Sequence, residues 1–478
     1  MQHFFEMQII RKMINIKFGT DGWRAIIAKE YTLDNVIRVA HATALFVKNN
    51  GGTSAVVGHD CRFAGPMFAE ATAQVLAAHG IKVYLGQGFV STPMVSLGVV
   101  KKSAFLGVVI TASHNPPDYN GYKLKSHYGG PSVPADIAAV EALIPDSMPV
   151  LSLPTLENML SAGLLEYVDL EQLYVDHCKA NFDLKAINSS FVRLAYDAMY
   201  GAGQNVVRRL LSGVSEFHCT HNPGFEGQAP EPIHRNLKKL SAFIANNSGI
   251  NCGLANDGDA DRIGMYDENG VFVDSHQILL LLIHYLHKYK GMNGKVVVSF
   301  PVTDKVKKLC DLYGIECIVT KIGFKYIAEY MITENVLVGG EESGGIAVAG
   351  HIPERDGIWV GLVLLEYMAK SGKTLRELIN EIYAIVGPFA YDRADLHLSN
   401  EQKDKIVENC KNGNYKSFGD YAIERVEDLD GYKFYLDDNT WIMVRASGTE
   451  PVLRVYVQAP DTNSVSSILE AAKLALLQ

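Results

Sequence analysis

Three aspartates in one short segment have a spacing that suits metal binding. Residues 256–262 read Asn-Asp-Gly-Asp-Ala-Asp-Arg, which places carboxylates at Asp257, Asp259 and Asp261. Three such charges repel one another unless a cation lies between them, and hard oxygen ligands suit Mg²⁺ or Ca²⁺. We therefore predict a curled metal-binding loop in which Gly258 supplies the positive φ that such a curl often needs. A solvated acidic turn is the alternative interpretation.

A second segment brings a serine, a histidine and a lysine into one predicted loop. Residues 111–123 read Thr-Ala-Ser-His-Asn-Pro-Pro-Asp-Tyr-Asn-Gly-Tyr-Lys and follow an apolar, strand-like run. Ligands of α/β proteins bind at the carboxyl ends of parallel strands, and the two prolines would stiffen the loop around Ser113. His114 and Lys123 share that loop. Serine, asparagine, proline and glycine are also ordinary turn residues, so a plain turn is the alternative.

Two glycine-rich segments further along the chain have the composition of ligand-binding turns. Residues 339–345 read Gly-Gly-Glu-Glu-Ser-Gly-Gly, and their carboxylates are suited to accept hydrogen bonds from sugar hydroxyls. Residues 445–451 read Arg-Ala-Ser-Gly-Thr-Glu-Pro. An arginine, two hydroxyls and glycine N–H groups form a compact anion nest, which is closer to a phosphate clamp than to a nucleotide loop. Tight turns without a ligand are the alternative for both segments.

Two arginines near the start of the chain follow glycine-containing turns. Arg24 ends the run Phe-Gly-Thr-Asp-Gly-Trp-Arg, and Arg62 ends the run Gly-His-Asp-Cys-Arg. Either side chain is compatible with a surface ion pair, and for Arg62 that structural role is our prediction.

Composition excludes several classes of protein. The chain has 478 residues, of which 48% are hydrophobic and 20% charged, and a formal net charge of −9. These values are typical of a globular protein, and the acidic balance disfavours nucleic acid or a membrane surface as a partner. No apolar run reaches the ~20 residues that span a bilayer, and no signal-peptide pattern is visible. The seven cysteines form no CxxC pair. We expect a cytoplasmic protein, monomeric or dimeric, whose partners are small molecules.

The elements that must position these segments alternate between helix and strand. Leu33 to Lys48 has apolar residues at helical spacing, and Ser54 to Gly58 reads as a buried strand. The same rhythm recurs to about residue 390 and predicts three similar mixed-sheet α/β domains, at residues 1–165, 166–290 and 291–390. Residues 391–478 instead predict an α+β domain with four short antiparallel strands and a closing helix.

In this order, the motifs resemble those of the α-D-phosphohexomutase family, specifically its phosphoglucomutase/phosphomannomutase members. They run from Phe18 to Pro451, one in each predicted domain, so the resemblance covers nearly the whole chain. It implies three α/β domains and a C-terminal α+β domain with a four-stranded antiparallel sheet, all around a central cleft. It also implies interconversion of hexose 1-phosphate and hexose 6-phosphate, of glucose, mannose or both. A phosphoserine and a hexose 1,6-bisphosphate would be the intermediates.

The resemblance further implies roles for individual residues. Ser113 would carry the phosphoryl group, and a phosphoryl oxygen on it would bind Mg²⁺ together with Asp257, Asp259 and Asp261. Arg24, His114 and Lys123 would surround the transfer site, with Lys123 or His114 as general acid or base. The substrate-binding residues would be Arg262 at the transferring phosphoryl group, Glu341 and Ser343 at the sugar hydroxyls, and Arg445, Ser447, Gly448 and Thr449 at the non-reacting phosphate.

Two departures from the family pattern leave the preferred sugar open. Gly345 stands where many bacterial relatives have a histidine, so we expect His351 or Arg355 to supply that contact. A phenylalanine replaces a second histidine, and we expect Lys321 or Lys325 beside it to reach the sugar phosphate. Phosphoglucosamine mutase is one alternative function, although the Thr-Ala-Ser and Arg-Ala-Ser motifs lean away from it. A Mg²⁺-dependent serine phosphomonoesterase and a non-catalytic sugar-phosphate-binding protein are the others.

Overall fold

The first domain is built on a six-stranded sheet with the order β1-β5-β4-β2-β3-β6, in a computed structural model that describes residues 14–446 and 452–477. Its strands are β1 (Trp23–Ile26), β2 (Ser54–His59), β3 (Lys82–Gly86), β4 (Leu106–Ile110), β5 (Tyr119–Ser126) and β6 (Leu165–Val168). Its helices are α1 (Leu33–Asn49), α2 (Gly65–Ala78), α3 (Thr92–Lys101), α4 (Pro134–Ala142) and α5 (Leu156–Ser161). Strands β4, β2, β3 and β6 run parallel, and β5 pairs antiparallel with β4 and β1.

The second domain follows two linking helices and has a five-stranded sheet. The linking helices are α6 (Leu170–Asn181) and α7 (Leu184–Ser189). The domain contains the strands β7 (Leu194–Asp197), β8 (Ser215–Phe217), β9 (Cys252–Asn256), β10 (Ile263–Tyr266) and β11 (Phe272–Val273), and the helices α8 (Val206–Leu210) and α9 (Lys238–Ala245). The strand order is β11-β10-β9-β7-β8.

The third domain has a four-stranded sheet with the order β13-β12-β14-β15. Its strands are β12 (Lys295–Ser299), β13 (Cys317–Thr320), β14 (Val336–Gly340) and β15 (Ile346–Val348). The helices around it are α10 (Ser275–His284), α11 (Asp304–Tyr313), α12 (Phe324–Thr333), α13 (Gly357–Ser371) and α14 (Leu375–Val386).

The three sheets share one arrangement of four strands. The sets β5-β4-β2-β3, β10-β9-β7-β8 and β15-β14-β12-β13 each contain three parallel strands and one antiparallel strand, connected in the same chain order. The prediction of three similar mixed-sheet domains is confirmed. The β4–β5, β9–β10 and β14–β15 connections are the serine, aspartate and glutamate segments described above. Each therefore leaves the carboxyl end of the equivalent strand, where α/β sheets bind ligands.

The fourth domain has a five-stranded antiparallel sheet with the order β16-β22-β21-β20-β19, not the four strands expected. Its strands are β16 (Ala390–His397), β17 (Ser417–Phe418), β18 (Tyr421–Ala422), β19 (Arg425–Glu427), β20 (Tyr432–Tyr435), β21 (Trp441–Ala446) and β22 (Val452–Ala459), and its helices are α15 (Asn400–Lys411) and α16 (Thr462–Leu476). The additional strand is β16, whose residues are mostly half-exposed or exposed. Strand β16 lies at the edge of the sheet and is rich in charged residues. It therefore lacks the apolar run by which a strand is predicted from sequence.

Local sequence explains much of this architecture. Strands β2 and β4 are Val-rich and buried almost throughout, as expected of parallel strands covered on both faces. Helices α3, α10, α14 and α15 begin with capping boxes, formed by Ser91, Asp274, Thr374 and Ser399. No helix within residues 14–446 and 452–477 is long and apolar enough to cross a membrane.

Packing joins the first three domains more closely than the fourth. One apolar cluster contains residues of all three, such as Val95, Leu254 and Val338. The fourth domain has its own core and meets the third through a smaller cluster around Phe300 and Trp441.

An ion pair between the first and third domains is completely buried. Lys125 on β5 lies 2.6 Å from Glu354, and neither side chain is exposed. The hydroxyl of Ser96 donates a hydrogen bond to the same carboxylate, at 3.0 Å. Removing one charge of such a pair leaves the other buried without compensation.

We predict that Lys125→Met lowers the free energy of unfolding by about 3–5 kcal/mol, the usual cost of breaking a buried pair from one side. The double variant Lys125→Met/Glu354→Gln should be clearly less destabilised, because no uncompensated charge remains. Urea denaturation followed by circular dichroism measures both. Equal losses in the single and double variants would contradict this electrostatic explanation.

Candidate active site

Ser113 lies at the centre of the site, in the loop between β4 and β5. Its side chain is buried, and its Oγ donates a hydrogen bond to Asp257 Oδ2 at 2.6 Å. The Nδ1 atom of His114 is 3.2 Å from the same Oγ. The backbone of Ser113 has a φ of +53°, a left-handed conformation that a non-glycine residue adopts only when its surroundings hold it there. The sequence-predicted serine and the first aspartate are therefore in direct contact.

The three aspartates converge as a metal site requires. One carboxylate oxygen from each of Asp257, Asp259 and Asp261 lies within 4.8 Å of the others, and all three residues are fully buried. The Oδ1 atoms of Asp259 and Asp261 have no hydrogen-bond partner among the described residues. Burial and the two neighbouring carboxylates raise the pKa of Asp257 well above its usual value. An oxygen-only donor set with unused buried oxygens fits Mg²⁺.

The aspartate loop curls in a different way from that expected. Gly258 does not have a positive φ; Ala260 does, at +57°. The reason for glycine at position 258 is the serine loop, because a Cβ there would lie 2.5 Å from the carbonyl oxygen of Ser113. Thr92 ties the same loop to the first domain, since its hydroxyl donates to Asp259 Oδ2 at 2.6 Å.

Two cations and one further carboxylate surround this cluster. Lys123 Nζ lies 2.8 Å from Asp259 and 3.1 Å from Asp261. It is also 2.7 Å from Asp21, which pairs with Arg355 as well. Burial opposes the charge on Lys123, but the three carboxylates raise its pKa above the usual value. Lys123 lies on strand β5 and not in a loop as predicted, so the sheet itself fixes its position.

Arg24 and His114 complete the serine side of the site. Arg24 donates a hydrogen bond to Asn115 Oδ1 at 2.7 Å and lies 3.6 Å from Asp21. Burial, reinforced by the positive charges of Arg262, Arg24 and Lys123, holds the pKa of His114 well below its usual value. The imidazole beside Ser113 is therefore neutral at physiological pH.

The loop between β14 and β15 brings Glu341 close to the same region. Its Oε1 accepts the backbone N–H of Gly323 at 2.9 Å, and its Oε2 lies 3.8 Å from Arg355. Burial raises the pKa of Glu341 to about 7, although Arg355 opposes the shift. Ser343 lies in the same turn. Arg262 pairs with this loop through a bridge to Gly345, and its Nε is buried without a hydrogen-bond partner in the described part of the chain.

Of the two residues expected to compensate for glycine at position 345, the structure brings only Arg355 to the site. A Cβ on Gly345 would lie 2.4 Å from Arg355 Cδ, so the arginine occupies the space of the missing side chain. Its Nη2 reaches Asp261 at 2.7 Å. His351 lies elsewhere: its ring stacks on Trp359 at 3.9 Å and bonds Asp356 at 2.9 Å, in a buried aromatic cluster.

The fourth domain approaches through Arg445. Its Nε donates to Asp430 Oδ1 at 3.2 Å, and Asp430 Oδ2 accepts the backbone N–H of Ile322 at 2.8 Å. Arg445 is thereby linked to the turn that also contacts Glu341. Lys321, in that turn, has an exposed side chain. The other predicted clamp residues, Ser447, Gly448 and Thr449, lie outside the described residues.

Sequence reasoning missed several residues of this site. Asp21 lies inside the quoted Gly-Thr-Asp-Gly turn, so its position next to Arg24 was an available signal. Thr92 begins a helix and carries no such signal. Arg62 was predicted to form a surface ion pair, but its side chain is fully buried beside the serine loop.

Comparisons with known proteins agree with this geometry. Family models of phosphoglucomutase/phosphomannomutase match residues 15–149 (alpha/beta/alpha domain I), 172–270 (domain II), 274–386 (domain III) and 403–474 (C-terminal domain). The chain belongs to this family. Members of the family are phosphohexomutases, so the chain is an enzyme of this class.

Full-length relatives carry more than one name. A phosphoglucomutase/phosphomannomutase of Thermococcus kodakarensis is 30% identical over 95% of this chain and 96% of its own length. A phosphoglucosamine mutase of Desulforamulus reducens is 32% identical, over 95% and 97%. The crystal structure of a Thermus thermophilus protein, described as a phosphomannomutase, has a TM-score of 0.86 and 35% identity, and covers 98% of this chain and 100% of that one.

We predict that Mg²⁺ stabilises the protein through the aspartate loop. At about 100 times its Kd, the ion should add about 2.7 kcal/mol to the free energy of unfolding, seen as a rise in Tm. The variant Asp259→Asn should lose most of that rise. Asp197→Asn is the matched control, because Asp197 is equally buried in the same domain but is bonded to His218. Equal Mg²⁺ responses in the two variants would exclude this site.

We predict that Gly345→Ala disables Arg355. The new methyl group must displace the arginine side chain from Asp261, and such a misplacement costs about 10²-fold in kcat/KM. Because both changes act on the same contact, Arg355→Ala and the double variant should show similar losses rather than additive ones. Gly249→Ala is the control, since a Cβ there meets nothing within 4 Å. An additive double variant would show that position 345 acts independently of Arg355.

Proposed function

We propose that this enzyme interconverts hexose 1-phosphate and hexose 6-phosphate, of glucose, mannose or both, with Ser113 as the residue that carries the phosphoryl group. The observation that supports the proposal most directly is the 2.6 Å contact between Ser113 Oγ and Asp257, within a buried cluster of three aspartates. A serine in this place can pass a phosphoryl group whose charge the site is built to balance. We extend the proposal to a Mg²⁺ ion held by Asp257, Asp259, Asp261 and the phosphorylated Ser113.

The first transfer moves the phosphoryl group from Ser113 to the free hydroxyl of the bound sugar phosphate. The bond between Ser113 Oγ and phosphorus breaks, and a bond between phosphorus and the sugar oxygen forms. Across this step, one proton is lost by the sugar hydroxyl and one is gained by the departing Ser113 Oγ. When Oγ attacks in the second transfer, the neutral His114, 3.2 Å away, is the better placed group to accept the Oγ proton. Lys123, held in its charged form, and Arg24 and Arg262 balance the charge of the phosphoryl group. Bound Mg²⁺ would supply further charge neutralisation.

The second transfer requires that the bisphosphate turn end for end in the cleft. Ser113 then recovers the other phosphoryl group, so that the phosphate has changed position on the sugar. Arg445, with Ser447, Gly448 and Thr449, would hold whichever phosphate is not reacting. Exclusion of water during this turn separates a mutase from a phosphatase.

Glu341 is suited to a sugar that binds in two opposite orientations. With a pKa of about 7, its carboxyl group is available in both protonation states near neutral pH. The protonated form donates a hydrogen bond to a sugar hydroxyl, and the ionised form accepts one. Ser343, in the same turn, adds a hydroxyl that does both. These two residues would therefore read hydroxyls common to both orientations.

Phosphoglucosamine mutase is the second candidate, because relatives at similar identity carry that name. Serine phosphomonoesterase is disfavoured by the link between Arg445 and the Glu341 loop, since release of phosphate to water needs no second phosphate site.

The test compares kcat/KM for the 1-phosphates of glucose, mannose and glucosamine, with trace hexose 1,6-bisphosphate present and free phosphate measured in parallel. We expect 6-phosphates as the main products from glucose or mannose. Ser113→Ala should lower kcat by at least about 10³-fold, as removal of a nucleophile does. Intact-mass spectrometry should find a phosphoryl group on the unaltered protein and on Ser132→Ala, a control in the same domain, but not on Ser113→Ala.

Three results would overturn the proposal. Free phosphate as the main product would indicate a phosphatase. A clear preference for glucosamine phosphate would move the chain to the second candidate. Near-normal activity of Ser113→Ala would remove the phosphoserine from the mechanism.

A further inference from the structure

A buried guanidinium lies directly beneath the serine loop and bonds its backbone. Arg62 Nη2 donates to the carbonyl oxygens of Ser113 at 2.7 Å and Asn115 at 2.6 Å. Its Nη1 donates to the carbonyls of Pro116 at 2.7 Å and Tyr119 at 2.9 Å. One side chain therefore satisfies four carbonyl groups of the serine loop and the first residue of β5. Its guanidinium carbon also lies 5.1 Å from the centre of the Phe225 ring, in the second domain.

The other side of the Ser113 backbone is held by a residue close to Arg62. Asp60 accepts a hydrogen bond from the hydroxyl of Thr111, and that hydroxyl accepts the backbone N–H of Ser113 at 2.9 Å. Asp60 also lies 3.4 Å from Arg62 Nε and accepts the backbone N–H of Arg62 at 2.9 Å. The N–H and the C=O of Ser113 are thus bonded to one connected group of three residues.

The topology of the sheet explains why these residues meet. Strands β2 and β4 are parallel neighbours, so their carboxyl ends lie at the same edge. The backbone N–H of Asp60, immediately after β2, still bonds the carbonyl of Ile110, the last residue of β4, at 3.0 Å. The segment after β2 therefore lies next to the loop after β4 and can form hydrogen bonds with its backbone.

The conformation of Ser113 requires such support. A φ of +53° is disfavoured for a residue with a Cβ, and an unsupported loop would relax to a more common conformation. Relaxation would turn Oγ away from Asp257 and His114, because the side-chain direction follows the backbone. Within residues 14–446 and 452–477, the hydrogen bonds of the Arg62 guanidinium all go to backbone carbonyls of the loop and of Tyr119 at the start of β5. Its ion pair is with Asp60 and not with the aspartate cluster.

We propose that Arg62, acting with Asp60 and Thr111, is a positioning residue for phosphoryl transfer: it holds Ser113 in the left-handed conformation that directs Oγ at the aspartate cluster. The proposal rests on the function proposed above for Ser113. The Arg62 side chain is fully buried and bonds the carbonyl oxygen of Ser113 and not its Oγ, so we expect its loss to act on the rate of transfer and not on sugar binding. Four fixed donors are needed, and only a planar guanidinium offers them.

The experiment compares Arg62→Lys with Arg38→Lys. Arg38 is a matched control, because it is equally buried in the same domain and also bonds backbone carbonyls, those of Pro145 at 2.8 Å and Ile14 at 3.2 Å. We expect Arg62→Lys to lower kcat by about 10²-fold, with KM changed by no more than about threefold, because a small misplacement of a reacting atom has that effect. Arg38→Lys should keep the unaltered kcat, even where its Tm falls as far.

A second pair of variants tests the same support from its other side. Thr111→Val removes the hydroxyl that bonds Ser113 and Asp60 but keeps the shape of the side chain, whereas Thr111→Ser retains the hydroxyl. We expect Thr111→Val to lower kcat and Thr111→Ser to restore most of it. This pair decides the question if Arg62→Lys fails to fold. The rate at which hexose 1,6-bisphosphate phosphorylates each variant, followed by intact mass, should fall in parallel with kcat.

The outcomes separate this proposal from the one on which it rests. An unaltered kcat in both Arg62→Lys and Thr111→Val, with normal activity in the parent enzyme, would overturn the positioning role alone. An equal loss of kcat in Arg38→Lys would overturn it too, since the effect would then be general destabilisation. A parent enzyme without mutase activity and without phosphoserine would overturn the function itself.

Discussion

The structure depends on balancing the charge of three carboxylates that are buried next to one another. Asp257, Asp259 and Asp261 are fully buried, and their repulsion in a medium of low polarity must be balanced by positive charge. Lys123 and Arg355 supply part of that charge. The first domain contributes the lysine, the second the aspartates and the third the arginine, so the electrostatic balance depends on all three domains being assembled.

The same strand arrangement in the three α/β domains explains how this assembly is possible. Each domain sends one loop from the carboxyl end of its equivalent strand, and the three loops carry a serine, three aspartates and a glutamate. The three domains therefore share one strand arrangement, but each contributes different side chains to the site. Contacts between the loops are close enough to constrain backbone atoms, as the approach of Gly258 to the Ser113 carbonyl shows.

Much of this could be predicted from the sequence, for physical reasons that differ between features. The α/β rhythm and the aspartate loop were readable because apolar periodicity and dense like charge are local properties of the chain. The role of Gly258 could not be predicted, because the carbonyl oxygen that a Cβ at this position would clash with belongs to Ser113, in another domain. His351 and Arg355 looked equivalent in the sequence, and only packing against Trp359 or Asp261 separates them. Strand β16 and the burial of Arg62 likewise depend on distant partners.

The division of the apolar core bears on how ligand enters and leaves. The first three domains share one continuous cluster, whereas the fourth is joined to the third by a small aromatic cluster and by polar contacts such as Thr303 to Gln458 and Lys305 to Asn439. A hinge at that junction would leave Ser113 and the charges around it undisturbed while the fourth domain, which we propose holds the non-reacting phosphate, moves. Movement at this one hinge would then control the binding and release of the sugar. The cluster around Ser113 would keep its structure from one turnover to the next.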